Sequence, residues 1–269
     1  MSRMRANQAD TWQDDPLSAR DREAAAAAID AAGTAEELWR AKELPRQLPR
    51  QPLPITGPVL VVAAHPDDEI LGFGGTMAHL LGAGVHVNTV CLTDGEASHG
   101  DTTLQAQTRL AARRRDELAR ALEALGPMPP PVHIALPDTG LDEQEHIASA
   151  AIKALLQDTG AALCVAPWAG DLHSDHEAAG RAAKRAAQGA GLPLWSYPVW
   201  MWHWARPGDP RVPWHQAAVL PLTAEAQERK KAALNCFTSQ LQPRGPQTGP
   251  VLPEQEIAHH TRALETVIT

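Results

Sequence analysis

The stretch that decides the fold is residues 59–69, Val59-Leu60-Val61-Val62-Ala63-Ala64-His65-Pro66-Asp67-Asp68-Glu69. It begins with small and β-branched residues and ends in groups that can carry protons or bind a metal. A short apolar run of this kind is typical of a strand buried on both faces, in the middle of a parallel sheet. Since open α/β sheets bind ligands beyond the carboxyl ends of their strands, we expect the chemistry where this strand ends.

Predicted strands and helices alternate after this stretch. Further strands are predicted at residues 85–92, 132–136, 161–166, 192–199 and 216–220, and helices at residues 77–84, 104–125, 142–157 and 225–236. A further alanine-rich helix is predicted to follow residue 177 and to end at about residue 188. The glycine-rich turn at residues 72–76 lacks the spacing of a dinucleotide-binding loop. The alternation predicts an α/β fold with a Rossmann-like, doubly wound, mostly parallel sheet and helices on both faces.

The two ends of the chain differ from this α/β region, which we place at residues 57–241. Residues 1–56 predict an N-terminal helical appendage, with helices at 24–32 and 34–44, followed by a proline-rich strap without regular structure. The second helix begins at a predicted capping box formed by Thr34 and Glu37. Residues 242–269 read as a C-terminal tail with no more than a short final helix.

Composition limits the partners and the compartment. A formal net charge of −8 argues against a nucleic acid or an anionic membrane held by bulk electrostatics. The three cysteines lie far apart in apolar contexts, which is typical of free thiols in a reducing compartment. No apolar run approaches the roughly 18 residues of a membrane span, and no secretory signal is visible. We therefore expect a cytoplasmic protein without a membrane span, and a homo-oligomer stays possible.

A second polar stretch, residues 167–177, follows the predicted strand at 161–166. If both strand ends face one crevice, His65, Asp68 and His176 converge. Two imidazoles and one carboxylate suit Zn²⁺ with an open coordination position, although this set also suits non-haem Fe²⁺.

Other residues of the two polar stretches could carry out the chemistry. Asp67 adjoins the predicted ligands and could act as the general base of a metal-activated water, or it could merely cap the next helix. His173 could face a developing oxyanion or a leaving amine. Asp175 could orient a histidine and raise its basicity.

Candidate substrate contacts lie on the same predicted edge. Glu96, Ser98 and Asp138 end strands or begin loops there, where binding residues concentrate. Arg114 lies on an arginine-rich helix face and could contact substrate or form an ordinary surface ion pair. The tryptophans at 195–214 favour core packing over a sugar-stacking role, and His99 and His203 read as ordinary loop residues.

Four motifs in this order resemble the zinc-dependent de-N-acetylase family named for PIG-L and LmbE. The motifs are Ala64-His65-Pro66-Asp67-Asp68-Glu69, Thr93-Asp94-Gly95-Glu96, Arg114-Arg115-Asp116-Glu117 and His173-Ser174-Asp175-His176. The resemblance spans roughly residues 57–241 and includes a closing Ser239-Gln240. The family includes deacetylases of N-acetylglucosaminyl phosphatidylinositol, of mycothiol and bacillithiol precursors, and of some glycopeptide antibiotics.

This resemblance implies roles for individual residues. The zinc ligands would be His65, Asp68 and His176, and the general base would be Asp67. His173 would be the electrophilic or acid histidine, and Arg114 a conformational or substrate-contacting arginine. The chain departs from some thiol-pathway members at Asp171, where they carry a tyrosine, so an oxyanion role for that tyrosine is absent here.

The sequence thus predicts a zinc-dependent hydrolase that removes an N-acetyl or other N-acyl group from an amino sugar or glycoconjugate. Fe²⁺ could replace Zn²⁺ in the cell. One alternative is a metal-dependent phosphoesterase, which would need ligands for two metals and a basic phosphate cradle. Another is a non-catalytic sugar-binding protein with a retained metal, which would not require the base Asp67.

Overall fold

The computed structural model describes residues 27–29, 31–53, 56–245 and 247–269. The strands are β1 (Val59–Ala63), β2 (Val87–Thr93), β3 (Val132–Leu136), β4 (Leu163–Pro167), β5 (Leu194–Tyr197), β6 (Ala217–Pro221) and β7 (Leu264–Ile268). The helices are α1 (Glu36–Lys42), α2 (Leu44–Gln47), α3 (Asp68–Gly82), α4 (Leu104–Leu125), α5 (Glu145–Asp158), α6 (Ser174–Ala190), α7 (Met201–Trp204), α8 (Ala224–Leu234), α9 (Thr238–Leu241) and α10 (Glu254–His260). Among these helices, none has the length and apolarity that crossing a bilayer requires.

The seven strands form one sheet in the order β3-β2-β1-β4-β5-β7-β6. The first five strands of this order are parallel, and β7 runs antiparallel to both of its neighbours. The prediction of a doubly wound, mostly parallel sheet is confirmed. The direction in which strands are added reverses between β1 and β4, so a crevice opens at their carboxyl ends.

The apolar run that opens β1 is buried on both faces of the sheet. Alternate side chains of this run enter two different cores: Val59, Val61 and Ala63 on one face, and Leu60, Val62 and Ala64 on the other. Helices α3, α4 and α8 contribute to the first core, and α5 and α6 to the second. Burying each valine or leucine stabilises the fold by roughly 1.5–3 kcal/mol, which explains why the run shows no polar alternation.

The C-terminal segment is part of the sheet, so the prediction of no more than a short helix after Pro243 is wrong. Helix α10 is present, but β7 follows it and inserts between β5 and β6. The Glu265 side chain of β7 lies inside the protein, where it accepts hydrogen bonds from the Gly75 and Thr76 N–H groups, both at 2.8 Å, and from Lys230 Nζ at 2.6 Å. A five-residue strand that carries a glutamate gives little apolar signal in the sequence.

The N-terminal strap covers the edge strand β6. The Gln51 N–H donates to the Val219 carbonyl at 2.9 Å, and the Val219 N–H donates to the Pro49 carbonyl at 2.8 Å. This pairing occupies hydrogen-bonding groups that an edge strand would otherwise expose. Where the N-terminal appendage ends and the α/β domain begins stays a prediction.

Two details of the N-terminal prediction differ from the structure. Helix α2 forms although Pro45 lies in it, because proline is tolerated in the first turn of a helix. Helix α1 begins after Ala35, with no side-chain cap, so the capping box is wrong. Residues 27–29 are helical, while most of the helix predicted at 24–32 lies outside the described residues.

A buried acid ties the N-terminal segment to the C-terminal one. Glu36 is only 3% exposed, and its carboxylate accepts hydrogen bonds from Arg262 Nε at 3.0 Å and from His259 Nδ1 at 2.9 Å. Burial raises the pKa of Glu36, but the bonds from His259 and Arg262 outweigh this effect and lower the pKa from 4.5 to about 2. The ion pair therefore stabilises the fold fully above about pH 4.5, and this stabilisation is lost as the pH falls toward about 2.

We expect Glu36→Gln to lower the free energy of unfolding near pH 7 by roughly 3 kcal/mol, because Arg262 would lose its buried counter-charge. The difference from wild type should shrink as the pH falls from about 4.5 to about 2. Denaturant unfolding across this range would measure it. Glu37→Gln, at an exposed neighbour on α1, is the control and should change the free energy by less than about 0.5 kcal/mol. If the free energies of unfolding of the variant and wild type differed by the same amount at every pH, the stabilisation would not come from the ionised Glu36.

Candidate metal centre

The crevice at the carboxyl ends of β1 and β4 contains the three predicted metal ligands. His65 and Asp68 lie in the turn from β1 into α3, and His176 lies in the first turn of α6, which follows β4. All three residues are buried, and each offers a ligand atom within 4.8 Å of those of the other two. The structure therefore brings together the His-Asp-His set that the sequence predicted.

Hydrogen bonds fix which nitrogen of His176 faces the centre of this set. His176 Nδ1 lies 2.8 Å from Asp171 Oδ2, and because a carboxylate only accepts hydrogen bonds, Nδ1 must carry the proton. The other ring nitrogen, His176 Nε2, lies 3.1 Å from Asp68 Oδ1 and makes no hydrogen bond to the described residues. A ring nitrogen this close to a carboxylate oxygen needs positive charge between the two atoms, either a proton on the nitrogen or a metal ion.

His65 is oriented in the same way by carboxylates on its far side. His65 Nε2 lies 3.0 Å from Asp175 Oδ2 and 3.2 Å from Asp138 Oδ1, so this nitrogen carries the proton. The other ring nitrogen, Nδ1, lies 3.5 Å from Asp68 Oδ2. The N–H groups of Ala64 and His65 hold that oxygen in place at 3.1 and 2.8 Å. Two imidazole nitrogens and one fixed carboxylate fit a divalent cation such as Zn²⁺ or Fe²⁺.

The charges of the crevice also favour a cation at this point. Burial lowers the pKa of His176, but Asp68 and Asp171 outweigh this effect and raise it to about 9. Burial also lowers the pKa of His65, but the hydrogen bonds to Asp138 and Asp175 outweigh this effect and raise the pKa well above its usual value. The acids of the site therefore attract positive charge, which a metal ion can supply in place of a proton.

Asp67, the predicted base, lies beside this set in a strained backbone conformation. Its φ of 151° is rare for a residue with a Cβ. Its N–H donates to Glu69 Oε2 at 3.2 Å, and its Oδ2 accepts from Arg114 Nη2 at 3.0 Å. Burial raises the pKa of Asp67 to about 7 although the Arg114 charge lowers it. A carboxyl group with a pKa near neutrality can accept and return a proton at physiological pH.

Arg114 is a buried clamp for the turn of Asp67, so the surface ion pair considered for it is wrong. Its side chain is 3% exposed, and besides Asp67 it donates to the carbonyls of Pro66 at 3.1 Å and Gly95 at 3.0 Å. A Cβ on Gly95 would lie 1.9 Å from Arg114 Nη1, so the glycine leaves space for the guanidinium. Whether Arg114 also contacts substrate stays a prediction.

His173 stands next to the two histidine ligands. Its ring centroid is 4.6 Å from that of His176 and 5.0 Å from that of His65. Burial and the two neighbouring histidines lower the pKa of His173 to about 3, which favours the neutral imidazole. Asp175, which was predicted to orient a histidine, contacts His65, and it also accepts from the N–H groups of Thr139 and Leu141 at 2.8 and 3.1 Å.

A cavity of about 160 Å³ opens onto these residues. Three of the four predicted substrate contacts line it: Arg114, Ser98 and Asp138. Glu96 does not line it, because its Oε1 accepts the Asp138 N–H at 3.0 Å and so positions that loop. The sequence analysis missed Leu71 of α3 and the loop residues Ala97, Thr139, Val199, Val251 and Leu252, which also line the cavity. Trp200, for which core packing was favoured, and Gln240 of the closing motif line it as well. Only the fold determines how these segments approach the crevice.

The remaining aromatic and histidine side chains divide between the core and the cavity. Trp195 and Trp202 are buried in the core, as predicted, whereas Trp200 lines the cavity. His203 lies in α7, not in a loop, and its Nδ1 bonds Glu256 Oε1 at 2.5 Å. His99 lies in a loop, where its Nδ1 is 3.2 Å from Ser98 Oγ.

Comparison with known proteins tests the family resemblance. Residues 60–187 match the family model described as PIG-L, GlcNAc-PI de-N-acetylase, which confirms the resemblance. The chain is 33% identical over 138 residues to diacetylchitobiose deacetylase of Thermococcus kodakarensis, over 50% of this chain and 51% of that protein. It is 43% identical over 83 residues to 1D-myo-inositol 2-acetamido-2-deoxy-alpha-D-glucopyranoside deacetylase of Nocardia farcinica, over 28% and 27% of the two lengths. The chain thus spans about half or less of the length of these relatives.

Solved structures share the fold. Teicoplanin deacetylase Orf2, in its zinc-inhibited form, superimposes with a TM-score of 0.59 at 19% identity, over 78% of this chain and 97% of that one. The N,N'-diacetylchitobiose deacetylase of Pyrococcus horikoshii gives a TM-score of 0.55 at 22% identity, over 81% and 82% of the two chains. At these identities the likeness establishes the α/β architecture.

We expect Gly95→Ala to destabilise the protein by roughly 3 kcal/mol, since its Cβ would displace the Arg114 guanidinium and its φ of +65° would strain an alanine. Gly100→Ala is the matched control: its φ is +73°, but nothing lies within 4 Å of the added Cβ, so about 1 kcal/mol is expected. Denaturant unfolding would measure both. Equal losses in the two variants would contradict the clamp.

Proposed function

We propose that this chain is a zinc-dependent hydrolase that removes an N-acetyl or other N-acyl group from an amino sugar or glycoconjugate, since residues 60–187 match the PIG-L family model. The observation that carries the proposal is the convergence of His65, Asp68 and His176 beside the buried Asp67 at the base of a cavity. The names of the similar relatives, which are deacetylases of acetylated sugars, supply the reaction and the substrate class.

The metal would be held by His65 Nδ1, His176 Nε2 and the Asp68 carboxylate. When bound there, it would lower the pKa of a water molecule to near 7 and polarise the amide carbonyl. Zn²⁺ is the proposed ion because a His-Asp-His set with an open position suits it, and Fe²⁺ remains the alternative.

Asp67 is proposed as the base that accepts the proton of the attacking water. Arg114 keeps the carboxylate in the crevice, and the raised pKa of Asp67 lets it hold this proton until the amide C–N bond breaks. The same proton then passes to the leaving nitrogen, which departs as an amine while the carbonyl carbon leaves as a carboxylate.

His173 is proposed as a hydrogen-bond donor to the carbonyl oxygen as negative charge develops on it. Its low pKa keeps the ring neutral, so it donates an N–H without giving up a proton. Its Nδ1 has no hydrogen-bond partner among the described residues, which leaves it available to a ligand.

The two alternative functions fit the geometry less well. A phosphoesterase needs a basic cradle, whereas Arg114, the one Arg or Lys among the described residues that line the cavity, is engaged by Asp67 and by two carbonyls. A binding protein with a structural metal gives no reason for the strained, clamped conformation of Asp67.

We expect Asp67→Asn to lower kcat for amine release from N-acetylated amino sugars by at least about 10²-fold while zinc content stays near one per chain. An amide side chain cannot accept the proton of water but retains the size of the aspartate. The assay would combine amine detection with metal analysis of the same samples. Asp116→Asn, at an exposed position on α4, is the control and should retain full activity.

Two outcomes would count against this assignment. Full activity in Asp67→Asn would exclude Asp67 as the base. Loss of zinc in that variant would make Asp67 a ligand instead.

A further inference from the structure

Asp171 is a buried carboxylate, with no exposed surface, that contacts two different parts of the crevice. Its Oδ2 accepts from His176 Nδ1 at 2.8 Å. The carboxylate also accepts three backbone N–H groups of the turn at residues 199–201. Trp200 donates to Oδ2 at 2.9 Å, and Val199 and Met201 donate to Oδ1 at 3.1 and 2.8 Å. We refer to these three residues as the 199–201 turn.

The 199–201 turn needs an acceptor at this position. Strand β5 ends at Tyr197 and Pro198 follows, so the next three N–H groups lie outside the sheet ladder and precede the first hydrogen-bonded turn of α7. Asp171 accepts all three. The main chain of Asp171 is also fixed, because Trp204 Nε1 donates a hydrogen bond to the Asp171 carbonyl at 3.0 Å.

The same turn forms part of the cavity wall. Val199 and Trp200 line the cavity that contains the His-Asp-His set. One carboxylate therefore fixes both a candidate metal ligand and two residues that a substrate would touch. A shift of His176 or of the 199–201 turn would move the Asp171 oxygens and so disturb the other contact.

We propose that Asp171 is a positioning residue that couples the metal centre to the substrate-facing wall. It sets the ring orientation of His176 and the position of Trp200 together, so that metal binding and sugar binding influence one another. This inference rests on the proposed function, because it takes His176 as a ligand. Linkage requires that the influence be reciprocal: a bound metal steadies the 199–201 turn, and an intact turn strengthens metal binding.

The coupling follows from the chemistry of the imidazole. A cation at Nε2 withdraws electron density from the ring, makes the Nδ1–H more acidic and strengthens its hydrogen bond to a carboxylate. Asparagine at this position would direct an NH₂ group either at His176 Nδ1–H or at N–H groups of the turn. One of the two contacts would then be lost.

The first test compares zinc affinity and kinetics in Asp171→Asn and wild type. We expect zinc affinity, measured by competition with a chromogenic chelator, to fall 10- to 100-fold, and KM for an N-acetylated amino sugar to rise in the zinc-saturated variant. Trp200→Ala, which keeps the backbone N–H, should raise KM and leave zinc affinity unchanged. Asp209→Asn controls for the loss of a carboxylate that accepts a backbone N–H, from Arg211 at 3.0 Å, in a loop that does not line the cavity.

The second test uses wild-type protein and so does not depend on the folding of a variant. Hydrogen exchange of the peptide that covers the 199–201 turn would be compared in zinc-loaded and chelator-treated protein. We expect zinc to slow exchange there and to leave the peptide around Asp209 unchanged.

The outcomes separate this inference from the proposed function. The proposed coupling would be wrong if Asp171→Asn and wild type bound zinc with equal affinity. It would also be wrong if hydrogen exchange of the 199–201 turn were equally fast with and without zinc. Neither result would contradict the proposed function. A wild-type protein that binds no zinc would overturn the proposed function and this inference with it.

Discussion

The structure depends on the carboxylate of Asp68, which is buried where β1 ends and α3 begins. One oxygen is held by the N–H groups of Ala64 and His65, and the other faces His176 from across the switch point of the sheet. A buried carboxylate costs several kcal/mol unless N–H groups and positive charges surround it. Many contacts in the crevice supply the N–H groups and positive charges that Asp68 and the neighbouring acids require.

The buried charge of Asp67 requires further contacts, which reach residues far from it in the sequence. Arg114 is buried to neutralise it, Gly95 is required to leave space for Arg114, and α4 must lie close enough to deliver the side chain. On the same helix Glu117 is fully buried and accepts from Ser239 N at 2.8 Å, which ties α4 to the start of α9 and to Gln240 in the cavity wall. The motifs that are separate in sequence are thus one connected set of charges and hydrogen bonds.

The last part of the chain stabilises this set although it lies outside the family match. Glu265 of β7 accepts the N–H groups of Gly75 and Thr76 in α3 and pairs with Lys230 of α8. Lys230 Nζ also donates to the Leu71 carbonyl at 2.7 Å. These bonds fix the helix that begins with Asp68, while Val251 and Leu252 close one side of the cavity. The segment that the sequence left as a tail therefore both anchors and encloses the site.

Sequence reasoning was strongest where local pattern and chemistry agree. The apolar run of β1 predicted a central strand, and the polar residues after β1 and β4 predicted His65, Asp68 and His176 as one set. It failed where tertiary context decides. Nothing local distinguishes the buried Arg114 from its exposed neighbours. A five-residue strand such as β7, whose apolar residues are interrupted by Glu265 and Thr266, gives only a weak apolar signal. The hydrogen bonds of Asp171 to the 199–201 turn join residues almost thirty positions apart.

X-ray absorption at the zinc edge, combined with an anomalous difference map of zinc-loaded crystals, would show where the metal binds and which atoms hold it. The account predicts one zinc site, bound by His65 Nδ1, His176 Nε2 and a carboxylate oxygen of Asp68, with nitrogen and oxygen ligands and no sulfur. Zinc bound elsewhere, for example at His259 and His260, or no ordered zinc in the crevice, would contradict it.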